Sequence, residues 1–468
     1  MRILLLLPLL LFGAPLLAAK ARPLNGPQVA AAMDLALQPF VDAGNLAGAV
    51  VGVRLNWDEQ LRAYGLAGPG LSPSASTIFE IASITKTFTG LLLAQLVTEG
   101  KVALEDPVQK YLPSSVLVPK FEGREISLLD LATHTSALPV PGPGDKFLPA
   151  WYSFKGMRLI SLHLIKWDFE NPLLGISEGD FFDAVSRTVL KRAPGARWEY
   201  SNIGMGLLGL ALARADGVAS FGELVQKRVA QPLGMASTWT ELPEALASRV
   251  AQGHREDGKL AARMNLGPLA AAGGLKSSAQ DLLKYLAFQM SQDPAVRFSH
   301  QVYRKLAEGD KTRLLPLAWH DDAALGMLYH SGTAGGFHCW IGFLPEKQAG
   351  LVLLSNSAAQ VVEEIGPELL KQVAGLKFEM PRPLVVVKLE PQILDSYAGT
   401  YLLGKQVMTI RRDKDHLELL WDGKKSTALW PRGEGSFFCK EWDCRVAFKP
   451  GGADVKMYYN SYWAAKQP

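Results

Sequence analysis

Three groups of polar residues follow one another along the chain: Ser83-Ile84-Thr85-Lys86, Tyr200-Ser201-Asn202 and His330-Ser331-Gly332. A hydroxyl and an amine three residues apart share one face of a helix, so if Ser83 opens a helix it can share a proton with Lys86. An activated serine nucleophile needs that geometry. Residues two apart in an extended or turn segment point the same way, so Tyr200 and Asn202 offer a phenol and an amide together. The third group sets polar side chains beside a glycine, where backbone can come close to a substrate. Acyl transfer is the chemistry such a set performs: Ser83 attacks a carbonyl and forms an acyl-enzyme, dividing one difficult displacement into two easier ones.

Lys86 accepts the hydroxyl proton only when neutral, so its pKa must fall well below about 10.4 through burial or a cationic neighbour. Tyr200 is the competing base; an ionised phenol takes the proton and returns it to the leaving group, a task worth about 10² to 10⁴ in rate. The residues leave both open. Asn202 is suited to holding a substrate amide and to screening Lys86 from Tyr200. A single Ser-x-x-Lys arises about once by chance in a chain of this composition, so its surroundings matter. Phe79-Glu80-Ile81-Ala82 leads into Ser83, and the Leu-rich stretch from Thr87 to Val97 continues as a buried helix ending near Gly100. Pro194-Gly195 introduces Tyr200, and Leu207-Leu208-Gly209-Leu210 follows it. The second Tyr-x-Asn, at Tyr458-Tyr459-Asn460, lies in an aromatic tail and reads as strand packing.

The elements that must position these groups follow from periodicity and turn signals. A helix from about Pro27 to Val41 leads into alternating Ala49 to Leu55 and Gln60 to Tyr64, a hairpin turning near Trp57-Asp58. Tyr329-His330, Phe337 to Leu344 and Leu351 to Ser355 are short apolar runs consistent with consecutive antiparallel strands. The residues between, about 80 to 290, read mainly as helices. Sheet at both ends with helices between predicts an α+β fold, an antiparallel sheet beside a helical lobe with the site in their cleft. Pro381-Arg382-Pro383 marks a linker, after which Asp413-Lys414-Asp415, Asp422-Gly423 and Pro450-Gly451-Gly452 punctuate short strands of a separate β domain. Residues 22–380 and 381–468 are thus expected to be the two domains.

The ordered triple resembles that of the serine β-lactamase and penicillin-binding-protein superfamily, class C branch, over about residues 27 to 376. Leu129-Asp130-Leu131-Ala132-Thr133-His134-Thr135-Ser136-Ala137-Leu138 and Gly273-Gly274-Leu275-Lys276-Ser277-Ser278-Ala279-Gln280-Asp281-Leu282 are similar to two further segments of that branch. Ala137-Leu138-Pro139, where many members have Gly before Leu, is similar to the AmpH-type DD-carboxypeptidase/endopeptidase group. The resemblance implies the β-lactamase/transpeptidase-like fold, with an oxyanion hole formed by the backbone N–H groups of Ser83 and Thr333, each donor worth about 10² to 10³ in turnover. Gly332, Gly335 and Gly336 are expected to make room for the acyl group. His330-Ser331-Gly332 stands where many β-lactamases have Lys-Thr-Gly. A histidine of reference pKa about 6.5 is mostly neutral at pH 7, so recognition of a substrate carboxylate should weaken, which counts against an efficient β-lactamase. If the charged His330 does bind a carboxylate, KM for DD-peptides should rise between about pH 6 and 8. The tail, through Tyr397-Ala398-Gly399-Thr400-Tyr401, resembles small barrel-like modules attached to some members.

Other chemistries lack support. Gly175-Ile176-Ser177-Glu178-Gly179 fits a nucleophile-elbow pattern, but Pro172 interrupts the strand it needs, and Ser177 with Asp180 reads as a helix cap ahead of Phe181. The eight histidines are scattered without ligand spacing, so no metal is implied, nor any other cofactor. No phosphate-binding Gly loop is present, and basic residues do not cluster with aromatics, so no nucleic-acid partner is expected.

Met1-Arg2, apolar Ile3 to Leu17 and Ala19-Lys20-Ala21 read as a signal peptide over residues 1–21, cleaved after Ala21, which makes the protein periplasmic or secreted. Losing Arg2 and Lys20 takes the formal charge from +4 to +2, which argues for no acidic partner. Of three cysteines, Cys439 and Cys444 flank a possible hairpin and form a possible disulfide in an exported protein, whereas Cys339 reads as a small core residue. From Trp151 to Trp167, Lys155, Arg158 and Lys166 oppose Phe154, Leu159, Leu162 and Ile165, a helix suited to packing or, less readily, to peripheral membrane contact.

Taken together the expectation is an exported serine hydrolase acting on a small D-alanyl-D-alanine-type peptide, peptidoglycan included, with β-lactam or ester hydrolysis as alternatives. A non-turning-over penicillin-sensing or wall-binding protein is the alternative of another class.

Overall fold

The computed structural model describes residues 23–139, 176–255, 259–309, 311–403, 406–439, 445–449, 456–459 and 462–467. The expected signal peptide and the segment Trp151 to Trp167 lie outside these residues.

Helix α1 (Gly26–Asp42) starts at Asn25, whose side chain accepts from the Gln28 N–H while the Gln28 side chain accepts from the Asn25 N–H. That reciprocal cap satisfies two otherwise orphaned donors. The hairpin β1 (Gly48–Leu55) and β2 (Asp58–Gly65) follows, turning through Asn56 in the left-handed region. Strand β3 (Ile78–Glu80) pairs with β4 (Lys276–Ser278), and β5 (Arg304–Glu308) with β6 (Lys311–Leu315). Then come β7 (His320–Asp322), β8 (Met327–Ala334), β9 (Phe337–Leu344) and β10 (Ala349–Ser355).

The main antiparallel sheet has the order β2-β1-β10-β9-β8-β7, so the first strand of the chain lies against the last strand of this sheet, with Ala49 opposite Ser355. Every residue of β9 and β10 is buried. Both faces of the sheet are covered, which explains why these strands read as unbroken apolar runs rather than as alternation. One face carries α1 and the late helix described below, the other the helical lobe.

Helix α2 (Thr85–Thr98) runs through the middle of that lobe, buried on nearly all sides, with Phe88 stacked on Tyr285 at 3.9 Å between ring centres. Helix α3 (Asn202–Ala215) is equally apolar and packs against it. On the opposite face of the sheet, α4 (Val361–Val373) fits its Gly366 over Trp340; a Cβ there would lie 2.5 Å from the indole.

Beyond α4 the chain runs extended, tied at Asn45, whose side chain exchanges hydrogen bonds with the Leu384 backbone at 2.9 and 2.8 Å. Eight antiparallel strands from Gly399–Leu403 to Tyr462–Lys466 then close into a barrel, its first and last strands pairing Tyr401 with Lys466. Tyr401, Met408, Leu419, Leu429 and Phe437 fill it. The Tyr458-Tyr459 stretch falls in a strand, as expected.

Candidate active site

The site begins at a strained backbone position. Ala82 takes φ +45°, in the left-handed region that costs a non-glycine residue about 1–2 kcal/mol. This turns the chain sharply after β3, and a single 3₁₀ turn, Ala82–Ile84, presents Ser83 at the head of α2. Lys86 follows one turn later with its Nζ 2.9 Å from Ser83 Oγ and donates a hydrogen bond to the Ala272 carbonyl. The amine has no exposed surface, and burial drives its pKa well below the ordinary lysine value.

Tyr200 precedes α3, half-buried, with its ring centre 4.7 Å from Lys86 Nζ and its hydroxyl in hydrogen-bonding contact with Ser83. The amine thus meets the ring face itself, without Asn202 as a screen. Burial raises the Tyr200 pKa above its usual value despite the Ser83 contact, and the Glu363 carboxylate adds to the rise. Ser201 caps α3 by accepting from the Gly204 N–H, which leaves Asn202 as the first helical residue, half-buried.

His134 fixes this second motif. Its Nδ1 accepts the Ser201 N–H at 3.1 Å and its ring lies 4.5 Å from that of Tyr200. Since Nδ1 accepts, Nε2 carries the proton of the neutral ring. The segment from Leu129 to Leu138 therefore shapes the site from behind, through left-handed conformations at His134 and Ala137, the latter a place suited to glycine.

The third motif lies on β8. Strand β7 pairs only with Met327 to Tyr329, whereas β9 pairs as far as Ala334, so from His330 onward one edge of β8 is turned toward the nucleophile. A Cβ on Gly332 would lie 2.3 Å from the Ile81 carbonyl oxygen and 3.0 Å from the Ser83 nitrogen. On Gly336 it would lie 2.5 Å from the backbone of Gly253 and His254. The expected room for an acyl group at these two glycines is occupied by backbone; Gly332 lets β8 lie flush against the Ser83 turn, and Gly336 admits the Gly253–His254 backbone. Thr333 follows on the same strand, exposed.

His330 is buried, and its Nδ1 lies 2.6 Å from the Ser331 carbonyl oxygen, to which it must donate. Burial, His320 and Lys86 hold its pKa well below 6.5, and burial takes His320, 4.7 Å away ring to ring, down to about 4. This runs against the expectation of a His330 titrating between about pH 6 and 8, since burial favours the neutral ring. Ser331 Oγ donates to Glu363 Oε1 at 2.6 Å.

The elbow-like Ser177 is a helix cap, sharing reciprocal hydrogen bonds with Asp180. Cys339 is fully buried in β9 with its thiol pushed up to about 12, a core residue. Cys439 is buried, while its proposed partner Cys444 lies outside the described residues. Among the described residues no group of three or more His, Cys, Asp or Glu side chains is arranged to hold a metal ion.

A serine, a buried lysine and a tyrosine gathered between a helical lobe and the edge of an antiparallel sheet define a serine hydrolase of acyl-transfer type. The chain belongs to the β-lactamase family, whose model matches residues 33–374. It is 27% identical over 369 residues to the D-alanyl-D-alanine-carboxypeptidase/endopeptidase AmpH of Escherichia coli K12, covering 73% of this chain and 89% of that one. A β-lactamase of Pseudomonas fluorescens is 29% identical over 69% of this chain and 92% of its own. In fold the chain is similar to a β-lactamase/D-alanine carboxypeptidase of Yersinia pestis, with TM-score 0.61, 22% identity and coverage of 75% and 99%. It is also similar to an octameric penicillin-binding protein homologue of Pyrococcus abyssi, with TM-score 0.63, 23% identity and coverage of 94% and 100%.

Proposed function

We propose that the protein is an exported, periplasmic or secreted hydrolase that cleaves D-alanyl peptides through an acyl-enzyme on Ser83. The observation that carries this reading is the solvent-free Lys86 amine 2.9 Å from the Ser83 hydroxyl, where burial disfavours its charged form. Lys86 takes the Ser83 proton as Oγ bonds to the carbonyl carbon. The N–H groups of Ser83 and Thr333 hold the resulting oxyanion, and Asn202 the substrate amide. The C–N bond then breaks as the proton passes to the leaving nitrogen by way of Tyr200. Water, deprotonated in turn, releases the acyl group and restores Ser83.

The buried, neutral His330 favours a second substrate within the same mechanism, an ester, because no permanent cation stands where a carboxylate would otherwise be held. Intact-protein mass spectrometry after a fluorophosphonate or penicillin, followed by assay on a D-alanyl-D-alanine peptide, an acyl ester and a cephalosporin, tests the proposal. One adduct, lost in Ser83→Ala, together with peptide or ester turnover is expected. No adduct at Ser83 overturns the reading.

A further inference from the structure

The third motif offers a substrate hydrogen-bond acceptors. His330 spends its Nδ1 proton on the Ser331 carbonyl, which leaves Nε2 as a lone pair. Ser331 spends its only hydroxyl proton on Glu363, which leaves Oγ with lone pairs alone. Behind Ser331 stands the Glu363 carboxylate, on the first turn of α4. Gln360 Nε2 donates to its other oxygen at 2.5 Å, and His338 Nε2 lies 3.8 Å from that oxygen. Glu363 is partly exposed, 38% for the side chain. The field is felt at Tyr200, Tyr329 and His320, all of which it biases. Arg313, a cation that opposes it at Tyr329 and His320, is gripped by Glu308 through Nε and Nη2 at 2.7 and 2.8 Å. A lysine and a threonine donating outward would present the opposite polarity.

We infer that Glu363 is a specificity-determining residue: through Ser331 it turns the leaving-group side of the cleft against a free carboxylate and toward a neutral or cationic hydrogen-bond donor. Among D-alanyl peptides this selects those in which the carboxyl following the scissile bond is amidated or continues into further chain. Cleavage within a chain or of an amidated terminus is thus favoured over removal of a terminal D-alanine. The inference deepens the proposed function and rests on Ser83 being the nucleophile.

The test compares N-acetyl-D-alanyl-D-alanine with its C-terminal amide as competitors of fluorophosphonate labelling of Ser83 in the full-length protein. In the wild type the amide should protect at concentrations at least about tenfold below the acid, the order of effect expected of a like charge in a partly buried cleft. Glu363→Gln should narrow the gap to about threefold or less by improving protection by the acid, with the amide unchanged. The wild-type comparison stands even if the variant folds poorly, and the variant's uncompeted labelling rate reports whether its site is intact. An acid that protects as well as the amide, a gap unchanged in Glu363→Gln that labels normally, or protection by neither peptide overturns the inference while leaving Ser83 as nucleophile. Failure of Ser83 to label at all overturns the nucleophile itself and the inference with it.

Discussion

Lys86 Nζ and Ser83 Oγ stand 2.9 Å apart in a place from which water is shut out on the amine side. Burial of an amine disfavours its charged form, so the pair is set to move a proton from oxygen to nitrogen. The sign of the pH dependence follows. A base acts when deprotonated, and a lowered pKa carries the rising limb of the acylation rate to lower pH. Acylation of Ser83 should therefore be flat between about pH 7.5 and 9, where a lysine titrating near 10.4 would give about a tenfold rise per unit. Lys86→Met should slow acylation by about 10³ or more, read by mass spectrometry of the acyl-enzyme.

Tyr200 carries the opposite shift, a phenol held protonated by burial and by the field of Glu363. In that state it gives a proton to a leaving group more readily than it takes one from Ser83. Tyr200→Phe should leave acylation by a good-leaving-group ester within about tenfold of wild type and lower turnover of an amide by about 10² or more. Equal losses on both substrates would make Tyr200 the base after all.

The grouping of Ser83, Lys86 and Tyr200 was legible because its members are locked to local structure. The lysine sits one helical turn from the serine, and Tyr200 immediately precedes the apolar helix α3. The Phe337–Leu344 strand showed in the apolar run itself. What stayed hidden depends on contacts made at long range. Glu363, on the first turn of α4, reads in the sequence as an ordinary acid near a helix N-terminus, and only the packing of α4 beside β8 brings it to Ser331. His134 stood inside a noted segment, yet its hold on the Ser201 N–H spans 67 positions. Gly332 seemed to be clearing space for a substrate, whereas it admits the Ser83 turn, an approach of two backbones that no periodicity announces.

Buried histidines make the fold sensitive to acid. His300 and His320 are taken by burial to about 4, and His134 and His330 also fall well below 6.5. In the unfolded chain all four titrate near 6.5. Between roughly pH 6.5 and 4 the unfolded state thus binds protons that the folded state refuses, and stability falls with pH by about 1.4 kcal/mol per unit for each histidine. Urea denaturation at pH 7.5, 6 and 5 should show little change above 6.5 and a steep loss below. His300→Phe should soften the slope by about one histidine's share. A midpoint independent of pH across this interval contradicts the argument.

Stability and catalysis separate along α3. Asn202 opens the helix at the site, and Asp216 caps its other end, about 20 Å away for a helix of 14 residues. A carboxylate is unfavourable at a helix C-terminus, and here its side chain has no exposed surface. Three cations compensate: Lys101 at 2.7 Å, Lys227 at 3.0 Å and Arg228, whose Nε lies 2.9 Å away and whose Nη2 also donates. Their hydrogen bonds, that of Arg228 foremost, hold the Asp216 pKa below the usual carboxylate range. Its stabilising share is therefore present above about pH 3.9 and is lost as pH falls through the depressed value. Asp216→Ala leaves Glu99 alone to face Lys101 and Arg228, takes the carboxylate from Lys227, and should cost about 3 kcal/mol, lowering Tm by roughly 5 °C. At 25 °C the same variant should label at Ser83 at the wild-type rate. A loss of labelling in step with the loss of stability would mean that the two ends of the helix are coupled, and that the frame of Asn202 and Tyr200 depends on this distant cluster.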